Sequence, residues 1–421
     1  MELNIEHKTT GKLFREMRPG KSAILSLLLL FFLNADAPDS FSASAADVTL
    51  AGFAFAGEFK DIKTRYPYTY RISEDLKAKD SGKKAGENFE NLSFQIAKRA
   101  AAISNPAINL TPLGELVDLK QSDQALMSVL LITGETVLTE RFDAYTKTFI
   151  RLRGDAMVFD YKNKQIVLSY PISVELFDVN EGGRPLSEAQ ITEHIKKMIF
   201  GNDGSSLFSQ YVRRLSDAVI PAPGTRTLQV NRVEIAPDAL GMFPQGLRSD
   251  ANTLRDMLID DFTSVLSARA KVSILPAKAG QSVGVMHLKL ENSDDQIEIR
   301  PGEGDYLFDI SLIRYVKQEQ KTAKAQVSHL YGVLVHLDFY EPLSNEHFFD
   351  TDLKNGEIKN SPFKHVSGDD FPAYSDTLRR LFLKFSDAVK GEDTNWIGTA
   401  AADPDVAAKL QKTRKIIEST R

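Results

Sequence analysis

The chain has 421 residues, a formal net charge of −5 and no cysteine, with 42% hydrophobic and 26% charged residues. This composition is ordinary for a globular protein, and at about 150 residues per domain the length predicts two or three domains. The acidic balance excludes the strongly basic footprint of a nucleic-acid-binding protein, and the lack of cysteine excludes disulfides, a catalytic thiol and a lipidated cysteine.

The first 45 residues have the tripartite pattern of a secretory signal peptide. Basic residues lead into an apolar run of 11 residues, 23–33, and the small-residue sequence Ala43-Ser44-Ala45 follows. A membrane-spanning helix needs roughly 20 apolar residues, so this run is too short for an anchor. We expect cleavage after Ala45, with cuts after Ala37 or Ala46 as alternatives. The mature chain is then periplasmic or secreted and has no transmembrane anchor.

Hydrophobic periodicity predicts an α/β module over residues 46–222. Its predicted elements are a strand at 48–56, a helix at 88–103, strands at 126–133, 145–160 and 165–177, and helices at 188–200 and 207–219. Lys162-Asn163-Lys164 is predicted as the hairpin turn between the last two strands.

A Pro- and Gly-containing stretch at 220–225 precedes a second module at 226–390, which has a closely parallel order of elements. Its predicted elements are a strand at 228–235, an amphipathic helix at 252–268, strands at 271–275, 283–290, 306–316 and 326–339, and a helix at 374–389. A tail at 391–421 carries a predicted surface helix. The sequence therefore predicts an α+β protein of two similar modules, each a mainly antiparallel or mixed sheet packed with helices.

Two local matches favour an internal duplication of these modules. Phe149-Ile150-Arg151 resembles Leu312-Ile313-Arg314, in strands that we expect to be equivalent. At the closing helices, Arg213-Arg214 and the sequence SDAV at 216–219 correspond to Arg379-Arg380 and SDAV at 386–389. Chance similarity between two amphipathic helices is the alternative explanation.

The helix ANTLRDMLIDDFTSVLSARA and the strand KVSILP, at residues 251–276, open the second module in a strand–helix–strand order. This pattern resembles the α/β module of bacterial envelope proteins such as the TolB N-terminal domain and the curli-secretion lipoprotein. The resemblance implies a periplasmic accessory or assembly part whose partners are envelope or periplasmic proteins. The chain departs from that family in lacking a lipidated cysteine and propeller repeats.

We interpret the sequence as having no G-x-S-x-G nucleophile elbow, and H-E-x-x-H, a Walker A loop and a G-x-G-x-x-G loop after a strand are missing from it. The glycines of RPGEGD at 300–305 stand among acidic residues that would repel phosphate, so this segment is predicted as a turn. A pair of carboxylates for glycan hydrolysis can come from any two loops and is kept as an alternative.

Histidine and aspartate residues near the C-terminus are the best candidates for chemistry. His336 and Asp338 are two apart in a predicted strand and so project from one face, while His347 and Asp350 are expected in the loop that follows. Such nitrogen and oxygen ligands are able to hold a divalent metal ion. The alternative is a solvent-facing strand edge without any cofactor. On that interpretation the core-facing residues are Val333, Val335, Leu337 and Phe339.

Aromatic residues supply a candidate binding surface. Tyr66, Tyr68 and Tyr70 alternate along a segment that we expect to be extended, which would place three rings on one face for a sugar or a partner protein. Burial against the module's own core is the alternative. Trp396, the only Trp, is a candidate docking anchor because Trp is enriched in interface hot spots. Its alternative role is to pin the tail to the body of the protein.

Three functions are compatible with these patterns. The leading one is a non-enzymatic, exported component of a bacterial cell envelope with an accessory, assembly or binding role. The second is a metal-dependent or glycan hydrolase that uses the C-terminal His and Asp residues. The third is a two-lobed periplasmic solute-binding protein with its cleft between the two modules.

Overall fold

The structure is a computed structural model, and it describes residues 45–84, 87–112, 125–142, 145–277, 285–293, 296–322, 326–362 and 370–421. The predicted signal peptide lies outside these residues, except for Ala45. Residues 45–421 form one compact unit. Within the described ranges, no helix is both long enough and apolar enough to cross a membrane.

Two sheets and the helices packed on them make up the described part of the chain, which confirms the predicted α+β class. The strands are β1 (Ala46–Ala56), β2 (Ile108–Pro112), β3 (Leu126–Arg141), β4 (Tyr145–Asp160), β5 (Gln165–Glu181), β6 (Leu228–Ile235), β7 (Ile274–Leu275), β8 (Met286–Leu290), β9 (Gln296–Ile299), β10 (Tyr306–Thr322), β11 (Gln326–Glu341) and β12 (Glu346–Pro362). The helices are α1 (Phe59–Arg65), α2 (Pro67–Asp80), α3 (Leu92–Ala100), α4 (Glu188–Phe200), α5 (Leu207–Ser216), α6 (Pro237–Leu240), α7 (Gln245–Arg248), α8 (Ala251–Ala270), α9 (Phe371–Lys390), α10 (Ile397–Ala400) and α11 (Val406–Glu418).

The first sheet has the strand order β5-β4-β3-β1-β8-β9, and β2 pairs with β1 as well. Strands β3, β4 and β5 form an antiparallel meander, whereas β1 runs parallel to β3. The sheet curls, because Gln165 at the start of β5 bridges to Arg300 just after β9. A hydrophobic cluster made of strand residues alone, among them Met127, Phe159 and Leu288, shows that the sheet packs against itself on one face. Helices α1 to α5 contribute to the hydrophobic cluster on the other face.

The second sheet has the strand order β12-β11-β10-β6-β7. Strands β10, β11 and β12 form an antiparallel meander, and β6 runs parallel to β10. Helices α8, α9 and α11 pack on this sheet in a common hydrophobic cluster. The chain therefore follows the same order in each half. One strand is followed by a helical connection, then by a parallel strand that opens the meander, and last by closing helical structure.

The β8–β9 hairpin departs from this common order. It lies between α8 and β10 in the chain, yet it pairs with β1 and completes the first sheet. The expected equivalence of Phe149-Ile150-Arg151 and Leu312-Ile313-Arg314 is wrong, since the first lies in the second strand of its meander and the other opens its own. The module boundaries themselves stay a prediction.

Helix α8 lies between the two halves of the fold and is buried over most of its surface, contrary to the expected amphipathic helix. Phe262 packs against Phe308 at 4.9 Å and Phe382 at 5.3 Å between ring centroids, on the side of the second sheet. Asp261 on the same helix is also buried and pairs with Arg151 of β4 in the first sheet. One helix therefore joins both sheets.

The tyrosine segment is helical, so the expectation of an extended segment is wrong. Pro67 is the first residue of α2, a position where its missing N–H costs nothing and its fixed φ suits the helix. The carboxylate of Glu135, from β3, accepts hydrogen bonds from the backbone N–H groups of Tyr68 and Thr69 at 2.9 and 2.8 Å. These first-turn donors have no partner inside a helix, so the carboxylate caps it.

Candidate functional site

The predicted metal ligands come together on one face of the β11–β12 hairpin. His336 Nδ1 lies 2.9 Å from an Asp352 carboxylate oxygen and His336 Nε2 lies 3.4 Å from Asp350. His347 Nδ1 lies 2.7 Å from an Asp338 oxygen. The expectation that His347 and Asp350 occupy a loop is wrong, because β12 pairs with β11 from Glu346 onward.

The core-facing alternation in β11 is confirmed, since Val333, Val335, Leu337 and Phe339 are buried. The description of this strand as an edge is wrong, because β11 lies between β10 and β12. Across the described ranges, no group of three or more His, Asp or Glu residues has an arrangement able to hold a metal ion. A divalent ion at His336 and His347 therefore stays a prediction that metal analysis of the purified protein would test.

The three tyrosines do not form one surface. Tyr66 is fully buried, and its hydroxyl donates to the Ala56 carbonyl at 2.7 Å. The Tyr68 hydroxyl donates to Glu188 of α4 at 2.9 Å. The Tyr70 ring packs on Phe55 at 6.2 Å. The three rings therefore share no common face, and a binding role for this segment stays a prediction.

Trp396 is partly buried and packs against the hydrophobic cluster of the second sheet. Its indole N–H is buried without a hydrogen-bond partner among the described residues. This packing accords with a role in pinning the tail, and docking through Trp396 stays a prediction.

The interpretation that no G-x-S-x-G segment is present is wrong for one serine motif. Residues 280–284, GQSVG, match G-x-S-x-G but lie outside the described residues. A nucleophile elbow places its serine between a strand and a helix. The described elements on either side are β7 and β8, which are both strands.

A cavity of about 630 Å³ opens between α5, α8, α9 and β5, and we call it the basic cavity. Two carboxylates, Asp217 and Asp376, are among its lining residues. The cationic side chains that line it are Arg213, Arg214, Arg269, Lys271, Arg379 and Arg380. The lining is therefore strongly positive in a protein whose net charge is −5.

The two arginine pairs that marked the duplication meet in this cavity. Arg213 and Arg214 come from α5, and Arg379 and Arg380 come from α9. Between them, small residues of α8, such as Ser264, complete the lining. The sequence contained both pairs, but only the packing of α5 and α9 around α8 places them together.

Most cations of the basic cavity have a carboxylate partner. Arg380 lies 3.2 Å from Asp376, and Lys271 lies 3.1 Å from Asp217. Arg379 lies 3.7 Å from Asp261, the buried carboxylate that also pairs with Arg151. Arg269 lies 3.5 Å from Asp387. After these pairs are counted, the positive charge of the cavity that has no carboxylate partner is that of the two α5 arginines.

Arg213 and Arg214 have no carboxylate within ion-pair distance in the described part of the chain. Arg213 donates to the Gly204 carbonyl at 2.9 Å, and Arg214 donates to the Ser264 carbonyl at 3.2 Å. Burial lowers the pKa of Arg214 to about 10, which still leaves the group charged at neutral pH. Arg213 is exposed and Arg214 is half-buried, so the cost of an unpaired charge falls mainly on Arg214, and a bound anion would relieve it.

A second charged cluster joins β4 to α8. Arg151 lies 2.7 Å from Asp261, and Arg153 lies 3.0 Å from Asp260. Gly134, opposite Arg153 on β3, leaves room for its guanidinium, since a Cβ there would lie 2.2 Å from Arg153 Nε. This cluster holds the sheet and the helix in register. It also borders a separate cavity of about 470 Å³.

Asp155 completes this second cluster. Burial and the charge of Asp260 raise the pKa of Asp155 to about 7, although the Ser169 hydroxyl donates to it at 3.1 Å. The sequence contains the signal for the cluster, because Arg151, Arg153 and Asp155 alternate within a predicted strand and must share a face.

No known protein-family model matches the chain, and no curated protein matches it. Similar solved structures include a protein described as a neuraminyllactose-binding hemagglutinin homolog from Helicobacter pylori, with 9% identity, a TM-score of 0.25, and coverage of 47% of this chain and 92% of that chain. A minor lipoprotein from Acinetobacter baumannii has 10% identity and a TM-score of 0.20, and covers 43% of this chain and 98% of its own.

A Xanthomonas campestris protein of family DUF330 has 13% identity and a TM-score of 0.21, and the match covers 41% of this chain and 87% of that one. Because these TM-scores are 0.25 or lower, none of the three bears on the fold or the function of this chain. The resemblance to the TolB and curli-secretion modules stays a prediction.

Proposed function

We propose that the chain is an exported, non-enzymatic binding component of a bacterial cell envelope, and that its ligand carries an anionic group. The observation behind this proposal is the convergence of Arg213-Arg214 and Arg379-Arg380 on one cavity. Each pair comes from one of the two predicted modules. A site built in this way belongs to the junction of the modules, where the solute-binding interpretation also expects a cleft.

The chemistry of the lining supports binding over catalysis. Guanidinium groups do not lose their protons near neutral pH, so they are poor acids and bases but good partners for anions. Among the described lining residues there is no histidine beside a serine that would activate it. The volume of about 630 Å³ falls within the roughly 300–1,000 Å³ that is typical of small-molecule pockets.

Calorimetric titration with anionic and neutral small molecules tests the ligand class. Inorganic phosphate, sulfate, citrate and glucuronate form the anionic set, and maltose is the neutral control. We expect saturable binding of at least one anion, weaker at high salt because added ions screen the attraction. Failure of every anion to bind would contradict the proposal.

The variant Arg213→Gln localises the binding. Loss of the Arg213 guanidinium should weaken anion affinity roughly tenfold, because hydrogen bonds to charged groups contribute about 1.5–3 kcal/mol. Arg232→Gln is the matched control, since Arg232 is an exposed arginine of β6 that pairs with Glu234 away from the cavity. Equal effects of the two substitutions would place the anion elsewhere.

Export and partners need a separate experiment in a bacterial host. N-terminal sequencing of the protein from the periplasmic fraction should find a chain that begins after Ala45. Affinity capture from cross-linked envelopes should identify any envelope partner. A protein that keeps its full N-terminus in the cytosol would contradict the envelope assignment.

A further inference from the structure

Positive charge in the basic cavity is balanced on one wall and unbalanced on the other. On the α9 wall, Arg379 and Arg380 lie 3.7 and 3.2 Å from carboxylates. On the α5 wall, Arg213 and Arg214 have no such partner among the described residues, and their hydrogen bonds go to carbonyl oxygens. Two unbalanced guanidinium groups on one wall favour a ligand group with close to two negative charges.

An unused hydroxyl lies beside the α5 wall, on α8. Ser264 is only 7% exposed, it lines the basic cavity, and its Oγ has no hydrogen-bond partner among the described residues. The Arg214 guanidinium is close by, since it donates to the carbonyl of the same serine at 3.2 Å. A buried hydroxyl without a partner costs about 1–3 kcal/mol, and a ligand oxygen would remove that cost.

We infer that the anionic group is a phosphate monoester, bound by Arg213, Arg214 and the Ser264 hydroxyl; this inference rests on the proposed function. Two guanidinium groups and a hydroxyl have more donors than the two oxygens of a carboxylate can use. A phosphate monoester has three terminal oxygens and a charge of about −1.5 to −2 at pH 7. A carboxylate or a sulfate ester has a single negative charge.

The same group occurs in soluble sugar phosphates and in the headgroup of phosphatidic acid. Both chemistries have a terminal phosphate that can enter the cavity. Titration of the purified full chain with glucose 6-phosphate tests the soluble source, and sedimentation with vesicles that contain phosphatidic acid tests the lipid source.

Matched sugars isolate the phosphate. Glucose 6-phosphate should bind at least about tenfold tighter than glucuronate or glucose 6-sulfate, because charge-assisted hydrogen bonds to a dianion are stronger and more numerous. Its affinity should fall between pH 7.5 and pH 5, since the second proton of a phosphate ester binds near pH 6. The affinity for glucose 6-sulfate should not change over that range.

Two serine variants separate ligand contact from structure. Ser264→Ala should weaken glucose 6-phosphate binding about fivefold and leave the melting temperature of the free protein unchanged or higher, because its hydroxyl has no partner. Ser267→Ala is the control in the same cavity. Its hydroxyl donates to the Val272 carbonyl at 2.8 Å, so this change should lower stability and leave affinity intact.

Each outcome bears on the inference. Tighter binding of glucose 6-phosphate or of phosphatidic acid vesicles than of the matched carboxylate and sulfate ligands, weakened by Ser264→Ala, supports a phosphate monoester. Glucuronate or glucose 6-sulfate binding as tightly as glucose 6-phosphate overturns the phosphate inference but leaves the anion-binding function standing. Absence of binding by all of these probes overturns both.

Discussion

Asp155 is a buried carboxyl group that stays protonated at a higher pH in the folded protein than in the unfolded chain. It is only 6% exposed, and burial together with the charge of Asp260 raises its pKa to about 7 from a reference value of 3.8. Arg153 and the Ser169 hydroxyl oppose this rise without cancelling it. The folded protein therefore binds a proton at Asp155 more tightly than the unfolded chain does.

The consequence is a stability that falls as the pH rises. Between about pH 4 and pH 7 the unfolded chain has already lost the proton that the folded protein keeps, so raising the pH in that window favours unfolding. Above pH 7 this contribution is constant. The change in pKa corresponds to about 4 kcal/mol at most.

We expect Asp155→Asn to remove this slope and to stabilise the protein at pH 8. Urea unfolding of both proteins at pH 5 and pH 8 measures the effect, with the exposed Asp393→Asn as the control. A wild-type slope that survives in Asp155→Asn would show that another group is responsible.

The basic cavity is only partly visible in the sequence. Arg213, Arg214, Arg379 and Arg380 were identified from the sequence, but as marks of duplication. Nothing in a linear pattern indicates that two helices more than 150 residues apart line the same cavity beside a third. Charge neutralisation by Asp261 and the unused Ser264 hydroxyl likewise depend on tertiary contacts.

Helix α2 shows how a tertiary contact overrides a local sequence pattern. Alternating tyrosines favour a strand, but Pro67 at the first position and the Glu135 carboxylate favour a helix. Burial raises the pKa of Glu135, yet its hydrogen bonds from Tyr68 and Thr69 favour the charged form. The partner residue lies 66 positions away, which is beyond the range of periodicity analysis.

We expect Glu135→Ala to destabilise the protein by about 1–3 kcal/mol, because two buried helix donors lose their acceptor. Glu135→Gln retains one acceptor oxygen and should cost less. Thermal unfolding measures the stability, and hydrogen exchange of residues 67–72 should show that the lost protection is local. Uniform loss of protection across the chain would contradict a cap.

Elements with a clear hydrophobic periodicity were predicted with the bounds that the structure shows. Strands β4 and β6 and helix α4 are examples. Strand β12 was missed because its sequence is largely polar and its register depends on pairing with β11. Helix α8 was expected to have a solvent face, since Asp261 and Ser264 are polar residues. Arg151 and the surrounding helices bury that face instead.

Contacts between the two halves of the protein involve buried residues of both. Arg151 of the first sheet pairs with Asp261 of α8. Glu291, just after β8, accepts hydrogen bonds from the Leu92 and Ser93 amides at 3.2 and 2.6 Å and so caps α3. The Ser73 hydroxyl donates to the same carboxylate at 2.6 Å.

We therefore expect one cooperative unfolding transition. Fluorescence of Trp396, the only Trp, reports on the hydrophobic cluster of the second sheet, whereas far-UV circular dichroism reports on both halves. The two urea curves should coincide, because shared buried contacts prevent one half from unfolding alone. Separate midpoints would show independent domains.

The first sheet cannot be completed until the β8–β9 hairpin has been synthesised. A ribosome synthesises β1 first, but β8, which pairs with residues 54–56 of β1, follows more than 200 residues later. Until it arrives, part of β1 is an open edge that can pair with another chain. A chain that stops near residue 222 would keep that edge permanently, so we expect such a fragment to aggregate and a separately supplied second half to rescue its solubility.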